Sequence, residues 1–346
     1  MAAAVSIEIL DLRHFAAPVL RPVLDAEGEI WRQRLHWDYR TSSKLLMQYL
    51  DSHMLPGYAA LEAGQVTGYA FCVYEETKAV IGDVFALNSQ SSGPGLDTPD
   101  PGTNGVPSPD PVSASALDIE RTLLKHLFET LVNSPQVDRI ESQLLLHASG
   151  VHSQIFRDAG FEVFRRLFMV QQLQSLWNQP RVDLPREFEL RSWRDEDLTP
   201  AGLLITEAYR DHPDSVINDQ YRSLHGSQRF LNNIVRYSGC GTFSAQVSHV
   251  VVNRQTRELV ALVLGSRVSP QSGHITQLCV HPRYRRHGLA RMLLAMAAFQ
   301  FMRHGATEIS LTVTESNTPA IDLYLSEGYT YTHTFDAAVW QRRRIL

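Results

Sequence analysis

Apolar residues recur along the chain in two rhythms, period two and period near 3.6, and the two alternate in the same order twice. Residues 6–12 alternate apolar and polar and predict a strand, after which residues 16–52 carry mixed helical sequence. Three short strands follow at 58–63, 66–74 and 79–87, separated by Gly64-Gln65 and by residues 75–78, which predicts an antiparallel meander. Helical spacing returns at Ile119, Leu123, Leu124, Leu127 and Leu131. A strand at 139–146, a short helix at 151–159 stopped by Gly160 and a strand at 161–173 complete the pass.

The second pass repeats this order. A strand at 188–193 is followed by helices at 198–210 and 219–235, and by strands at 243–252 and 259–268 joined by the turn 254–257. Then come a strand at 274–280, a helix at 289–303, a strand at 308–313, a helix at 319–326 and a closing strand at 329–340. The repeat is legible in residues as well as in order. Ile155-Phe156-Arg157-Asp158-Ala159-Gly160-Phe161 and Leu323-Tyr324-Leu325-Ser326-Glu327-Gly328-Tyr329 both read apolar, aromatic, three residues, glycine, aromatic. We read an internal duplication: a first domain at 1–176, a linker at 177–186 that carries two prolines, and a second domain at 187–346. Two domains also suit a length of 346 residues. Residues 89–115 break the first copy with Gly, Pro, Ser and Asp and with no Lys, Arg or His, a composition that predicts a flexible surface insertion.

Composition narrows the functional classes. Hydrophobic content of 44% and charged content of 20% are ordinary for a folded globular chain, and the net charge of −5 argues against nucleic acid as a partner. Cys72, Cys240 and Cys279 form neither a Cys-x-x-Cys pair nor an even framework, which suits a reducing, cytoplasmic setting. The first residues carry Glu8 and Asp11 within their apolar run and do not read as a signal peptide. No apolar run approaches the roughly 20 residues that cross a bilayer, so no membrane role is expected.

Candidate chemistry concentrates at residues 274–291, HITQLCVHPRYRRHGLAR. An apolar strand, a basic turn and the start of a helix bring free backbone N–H groups and cations to one place, which is an anion site in the making. Gly288 leaves room for close approach of the backbone to the anion. The strand ITQLCVHP, then Arg285-x-x-Gly288-x-Ala290, then Asn317-x-x-Ala320-x-x-Leu323-Tyr324-x-x-x-Gly328-Tyr329 resembles the GCN5-related N-acetyltransferase (GNAT) family. The resemblance covers residues 187–346 in its motifs and the first half in element order alone.

That resemblance implies an α/β fold of the α+β type with a mixed sheet: two tandem GNAT-like domains, each a mostly antiparallel central sheet flanked by helices, with a splayed strand pair. It also implies acetyl-CoA as co-substrate and no metal. The N–H groups of Arg286, His287, Gly288, Leu289 and Ala290 would cradle the pyrophosphate, with charge from Arg285 or Arg286, and Arg283, Arg291 and His287 are further candidates for the 3′-phosphate region. Leu278, Cys279 and Val280 would pair with the pantetheine amides as an added strand does. Cys279 reads as packing rather than as a nucleophile. Tyr324 would protonate the departing thiolate, and Asn317 would cap its helix or bind cofactor backbone rather than perform chemistry.

The general base is not legible. Gln277 and Thr312 stand where family members often place a carboxylate, and Glu315, His274, Asp211, His212 and Asp214 remain as candidates beside a water relay. Tyr209, Asp214 and Tyr221 lie in a stretch rich in aromatic, acidic and amide groups that could hold a polar amine or could simply be a capped helix-loop-helix. In the first copy Phe156 stands at the position of Tyr324 and Ser149 at that of Asn317, and no Arg-x-x-Gly-x-Ala is present, so that copy reads as degenerate. The expectation is an acetyl-CoA-dependent N-acetyltransferase acting by direct attack of a primary amine, small-molecule or peptide, in a ternary complex within the second half. The alternative is a non-catalytic acyl-CoA sensor or interaction module. Neither the acceptor nor the oligomeric state is fixed by the residues.

Overall fold

The structure, a computed structural model, describes residues 7–88, 114–173, 180, 184–236 and 241–343. The expected insertion up to residue 113, most of the expected linker, Cys240 and the last residues lie outside those described.

The alternating segments of the first half form β1 (Ile7–Asp11), β2 (Gly57–Glu62), β3 (Gln65–Glu75), β4 (Lys78–Ala86), β5 (Arg139–Gln143) and β6 (Glu162–Gln172). Those of the second half form β7 (Phe188–Ser192), β8 (Thr242–Phe243), β9 (His249–Asn253), β10 (Leu259–Arg267), β11 (Ser272–Val280), β12 (Glu308–Thr314) and β13 (Thr330–Gln341). The helices are α1 (Ala17–Leu35), α2 (Arg40–Asp51), α3 (Ala114–Asn133) and α4 (Ser153–Asp158), then α5 (Leu198–Ala208), α6 (Asp214–Ile217), α7 (Leu224–Arg236), α8 (Leu289–Arg303) and α9 (Thr318–Ser326). None of these helices is long and apolar enough to cross a membrane.

Two expectations are corrected. The helix expected at 219–235 is instead a 3-10 turn, Asp219–Arg222, an extended residue at Ser223, and α7. Ser223 Oγ accepts from the Gly226 N–H at 3.0 Å, so a serine cap starts a new helix where periodicity alone runs on. The strand expected at 243–252 is two, β8 and β9, separated by a turn in which the Ser244 N–H donates to the Gly265 carbonyl at 3.0 Å.

All strands among the described residues join one thirteen-stranded sheet, ordered β1-β2-β3-β4-β5-β13-β6-β12-β11-β10-β9-β7, with β8 beside β10. Among the described residues only β4/β5 and β11/β12 are parallel pairs, and they occupy the same place in each half. The centre of the order holds an exchange. β6, from the first half of the sequence, pairs with β12, and β13, from the end of the chain, pairs with β5. The offset that carries Phe156 onto Tyr324 also carries Ile140 onto Glu308 and Gln172 onto Trp340, and the pairs Ile140↔Trp340 and Glu308↔Gln172 are both in register. Where β13 meets β6, that offset turns Thr334↔Leu167 into Phe335↔Arg166, the next pair along. The two halves are therefore related by an approximate two-fold axis between β6 and β13.

Packing follows the exchange. α8 covers one face of the second half, and its core takes in Leu167 and Met169 from β6. α3 does the same for the first half and takes in Ala338 from β13. α5 with α7, and α1 with α2, cover the opposite faces. Trp31, Trp37, Phe168, Val268 and Phe335 form a separate apolar cluster between the halves. Each half thus buries a strand of the other.

Candidate active site

β11 and β12 run side by side only through Ser272↔Glu308, Gly273↔Ile309 and His274↔Ser310. Beyond that they part. On its other side β11 skips Thr276 in pairing with β10, since Leu264↔Gln277 is followed by Gly265↔Ile275. The bulge bends β11 away from β12 and leaves its facing edge unpaired. A cavity of about 1060 Å³ opens at the split, at the upper end of the range for small-molecule sites.

At one end of this cavity lies the basic turn. Arg286 (φ 67°) and Gly288 (φ 76°) are both left-handed, and α8 begins at Leu289. Alternating handedness of this kind turns successive N–H groups to one side. Among the described residues no acceptor meets the N–H of Arg286, His287 or Gly288. A Cβ on Gly288 would meet nothing within 4 Å, so the glycine is required by its backbone conformation rather than by crowding. The Arg285 guanidinium is engaged by protein: it donates to the carbonyls of Ala208 at 2.7 Å and Val280 at 3.4 Å, tying the turn to the end of α5. Arg291 is held by Glu327 at 2.8 Å and Ser326 at 2.9 Å. Arg286 is exposed with no ion-pair partner among the described residues. His287 is exposed, its Nδ1 2.9 Å from the Arg285 carbonyl, and neither it nor Arg283 lines the cavity.

The strand positions divide by face. Leu278 and Val280 pack toward α8, whereas Cys279 is buried under α5 and α7, where burial pushes its thiol up and keeps it protonated. That is the environment of a packing cysteine.

Tyr324 projects from α9, which Asn317 caps by accepting from the Ala320 N–H at 3.4 Å. Only 8% of Tyr324 is exposed. Burial raises its hydroxyl above the usual range, the Asp214 charge adds to this, and Arg166 opposes it. The phenol is thus held as a proton carrier. Facing it is the loop after α5. Tyr209 donates to Gln277 Oε1 at 2.8 Å, and its ring lies 4.4 Å from that of Tyr221. Asp214 accepts from the Thr314 hydroxyl of β12, and its N–H donates to His212 Nδ1 at 3.1 Å. His212 Nε2 lies 3.4 Å from the Asn317 amide nitrogen, and burial holds its pKa down, so this imidazole is neutral near pH 7. Tyr209, Asp214 and Tyr221 all line the cavity with Tyr324.

The candidates for the base separate by position. Glu315 is half-exposed beside Arg165, at 3.4 Å, and Asp211 is exposed; neither lines the cavity. His274 does line it, but its Nδ1 is 2.9 Å from Ser310 Oγ, and burial together with Arg166 lowers its pKa to about 3. His212 and Asp214 remain.

Two lining residues come from the first half, Gln143 on β5 and Arg166 on β6. Arg166 is 7% exposed; its guanidinium donates to Gln143 Oε1 at 2.5 Å and Thr312 Oγ1 at 3.3 Å. The first half also fixes the loop after α5. Lys78 Nζ reaches Asp219 at 2.9 Å and Glu141 at 3.2 Å, and Arg139 Nη2 donates to the Val216 carbonyl at 2.5 Å. None of this is visible without the strand exchange, although an arginine at an inward position of the apolar run 163–170 was a signal.

The equivalent described residues of the first half are packed and paired among themselves. Phe156 packs against Phe128 and Phe161, and Ser149 donates to Asp336 at 2.6 Å. His147 and His152 both turn Nε2 to Glu120, at 3.2 and 3.0 Å, in a fully buried knot.

Residues 216–329 match the family model described as acetyltransferase (GNAT) family, a stretch wholly within the second half and about a third of the chain. No curated protein sequence matches the chain. Among solved structures the chain is similar to a GCN5-related N-acetyltransferase from Sphaerobacter thermophilus, at 13% identity and TM-score 0.58, covering 98% of this chain and 97% of that one. It is similar to a tandem GNAT protein from the clavulanic acid biosynthesis pathway at 13% identity and TM-score 0.57, covering 97% and 98%. A third likeness is to a fungal multi-domain GH3 beta-N-acetylglucosaminidase that carries a GCN5-related glucosamine N-acetyltransferase region, at 12% identity and TM-score 0.60, covering 98% of this chain and 38% of that one.

Proposed function

From a GNAT match in the second half and a tandem GNAT fold over the whole chain, we propose that this protein is an acetyl-CoA-dependent N-acetyltransferase whose active site is the cavity between β11, β12 and the loop after α5. The single observation that carries this reading is the convergence of an N–H cradle without protein acceptors, an unpaired strand edge and the Tyr324 hydroxyl on one cavity. Bound acetyl-CoA would supply an activated acyl carbon. The N–H groups at 286–290 would hold its pyrophosphate, with the exposed Arg286 adding charge. The open edge of β11, at Leu278 to Val280, would hold the pantetheine amides.

Asp214 and the tyrosines beside it would orient a primary amine. The Asp214 carboxylate would take its proton directly or through water as nitrogen adds to the thioester carbon, with His212 Nδ1 held by the Asp214 N–H. The carbon–sulfur bond breaks, and Tyr324 gives its proton to the sulfur. Holding both reactants in one cavity would provide much of the rate.

Titration calorimetry tests the cradle. Acetyl-CoA should bind the native chain, and Gly288→Val, which strains a left-handed position, should weaken binding roughly tenfold or more while leaving the fold intact. Equal affinity of the two would remove the cradle from the account.

A further inference from the structure

Two donors in this cavity are buried without an acceptor. One is Arg166 Nε; the guanidinium's other nitrogens reach only the neutral oxygens of Gln143 and Thr312, and no carboxylate pairs with it among the described residues. The nearest π face, Phe335, has its centre 5.8 Å away. A guanidinium so buried is costly unless an anion joins it. The other is Gln277 Nε2. Its amide is fixed in sense because Oε1 accepts from the Leu278 N–H at 3.0 Å and the Tyr209 hydroxyl at 2.8 Å, so the NH₂ end is the one turned toward the Tyr221 hydroxyl without a well-formed hydrogen bond, in a residue only 5% exposed.

The cation and the Asp214 carboxylate are linked through one residue of β12. Arg166 is opposite Thr314 in the β6/β12 register, and the Thr314 hydroxyl donates to Asp214. Arg166 also acts electrostatically on Tyr221, Tyr324 and His274, which places its charge at the acceptor end of the cavity. The lining of this one cavity therefore offers a carboxylate together with a guanidinium and an amide that each have a donor to spare.

We infer that the acetyl acceptor is an amine that also carries a carboxylate, an amino acid or a similar small amino carboxylate, with its ammonium or amine facing Asp214 and its carboxylate on Arg166 and Gln277. This rests on the acetyl-transfer reading of the cavity. It also gives the first half a direct part in the reaction: the exchanged strand β6 delivers the residue that selects the substrate. A neutral or purely cationic amine would leave Arg166 unpaired, and a site left so rejects the analogue lacking the group.

The experiment compares the common α-amino acids with their carboxamides as acceptors for the full chain, read as thiol release from acetyl-CoA. The best acids should exceed their amides in kcat/KM by roughly 10- to 100-fold, the range for a charge-assisted hydrogen bond. Arg166→Gln should erase most of that ratio, chiefly through KM, with acetyl-CoA affinity unchanged, and Gln277→Leu should reduce it less. Amides that serve as well as acids in the native chain would overturn the inference, as would an Arg166→Gln chain that keeps the full ratio. Thiol release with decarboxylated amines alone would overturn it while sparing the acetyl-transfer reading. No release with any amine, acid or amide, would sink both.

Discussion

Tyr324 and His274 show how burial sets what a side chain can do with a proton. Both line the same cavity, yet burial raises the phenol and lowers the imidazole, so one keeps its proton and the other refuses one. For His274 this has a consequence for stability. Its folded pKa of about 3 lies below the unfolded value near 6.5, so between these values the unfolded chain binds a proton that the native chain does not. Stability from this group is therefore present at neutral pH and lost as pH falls below about 6.5. From pH 7 to pH 5 the loss is roughly 2 kcal/mol from His274 alone. Urea unfolding at the two pH values should show that loss in the native chain and a correspondingly smaller one in His274→Asn; equal pH dependence would contradict it. At this scale Tyr324, Asn317 and the glycine turn were legible because a motif fixes them by spacing. Arg166 was not, because its meaning depends on which strand lies next to it. His212 and Asp214 stood among several candidates until burial and position separated them.

At the scale of elements, nearly every strand and helix was legible from the period of its apolar residues, and the meander β2-β3-β4 fell close to its expected bounds. The misses have local causes: Ser223 caps a new helix, and a turn divides β8 from β9. Pairing was the hidden part. β6 and β13 are apolar strands that would fit beside either half, and period-two sequence does not say which neighbour a strand takes. The exchange predicts that the halves depend on each other. A chain of residues 184–343 alone lacks β6, leaving the β12 edge bare and Leu167 and Met169 missing from its core. It should be insoluble or unfold without cooperativity, and should become soluble when coexpressed with residues 1–176. An isolated second half with a sharp thermal transition would show that the exchange is dispensable.

For the molecule as a whole, the approximate two-fold axis relates two copies whose corresponding residues differ. The first has a buried Glu120–His147–His152 knot and Phe156 where the second has an open cleft and Tyr324. It holds the loop after α5 through Lys78, Arg139 and Glu141 and lends Arg166 and Gln143 to the cavity. On this account a degenerate copy persists as one wall of its neighbour's site. The most direct test of the central claim is a comparison of native chain and Tyr324→Phe for acetyl-CoA affinity and for thiol release with the best amine found. The account predicts turnover lower by about 100-fold or more, the usual effect of removing a positioned general acid, with acetyl-CoA affinity unchanged within about twofold. Undiminished turnover in Tyr324→Phe, or tight acetyl-CoA binding with no thiol release from any amine, would contradict it.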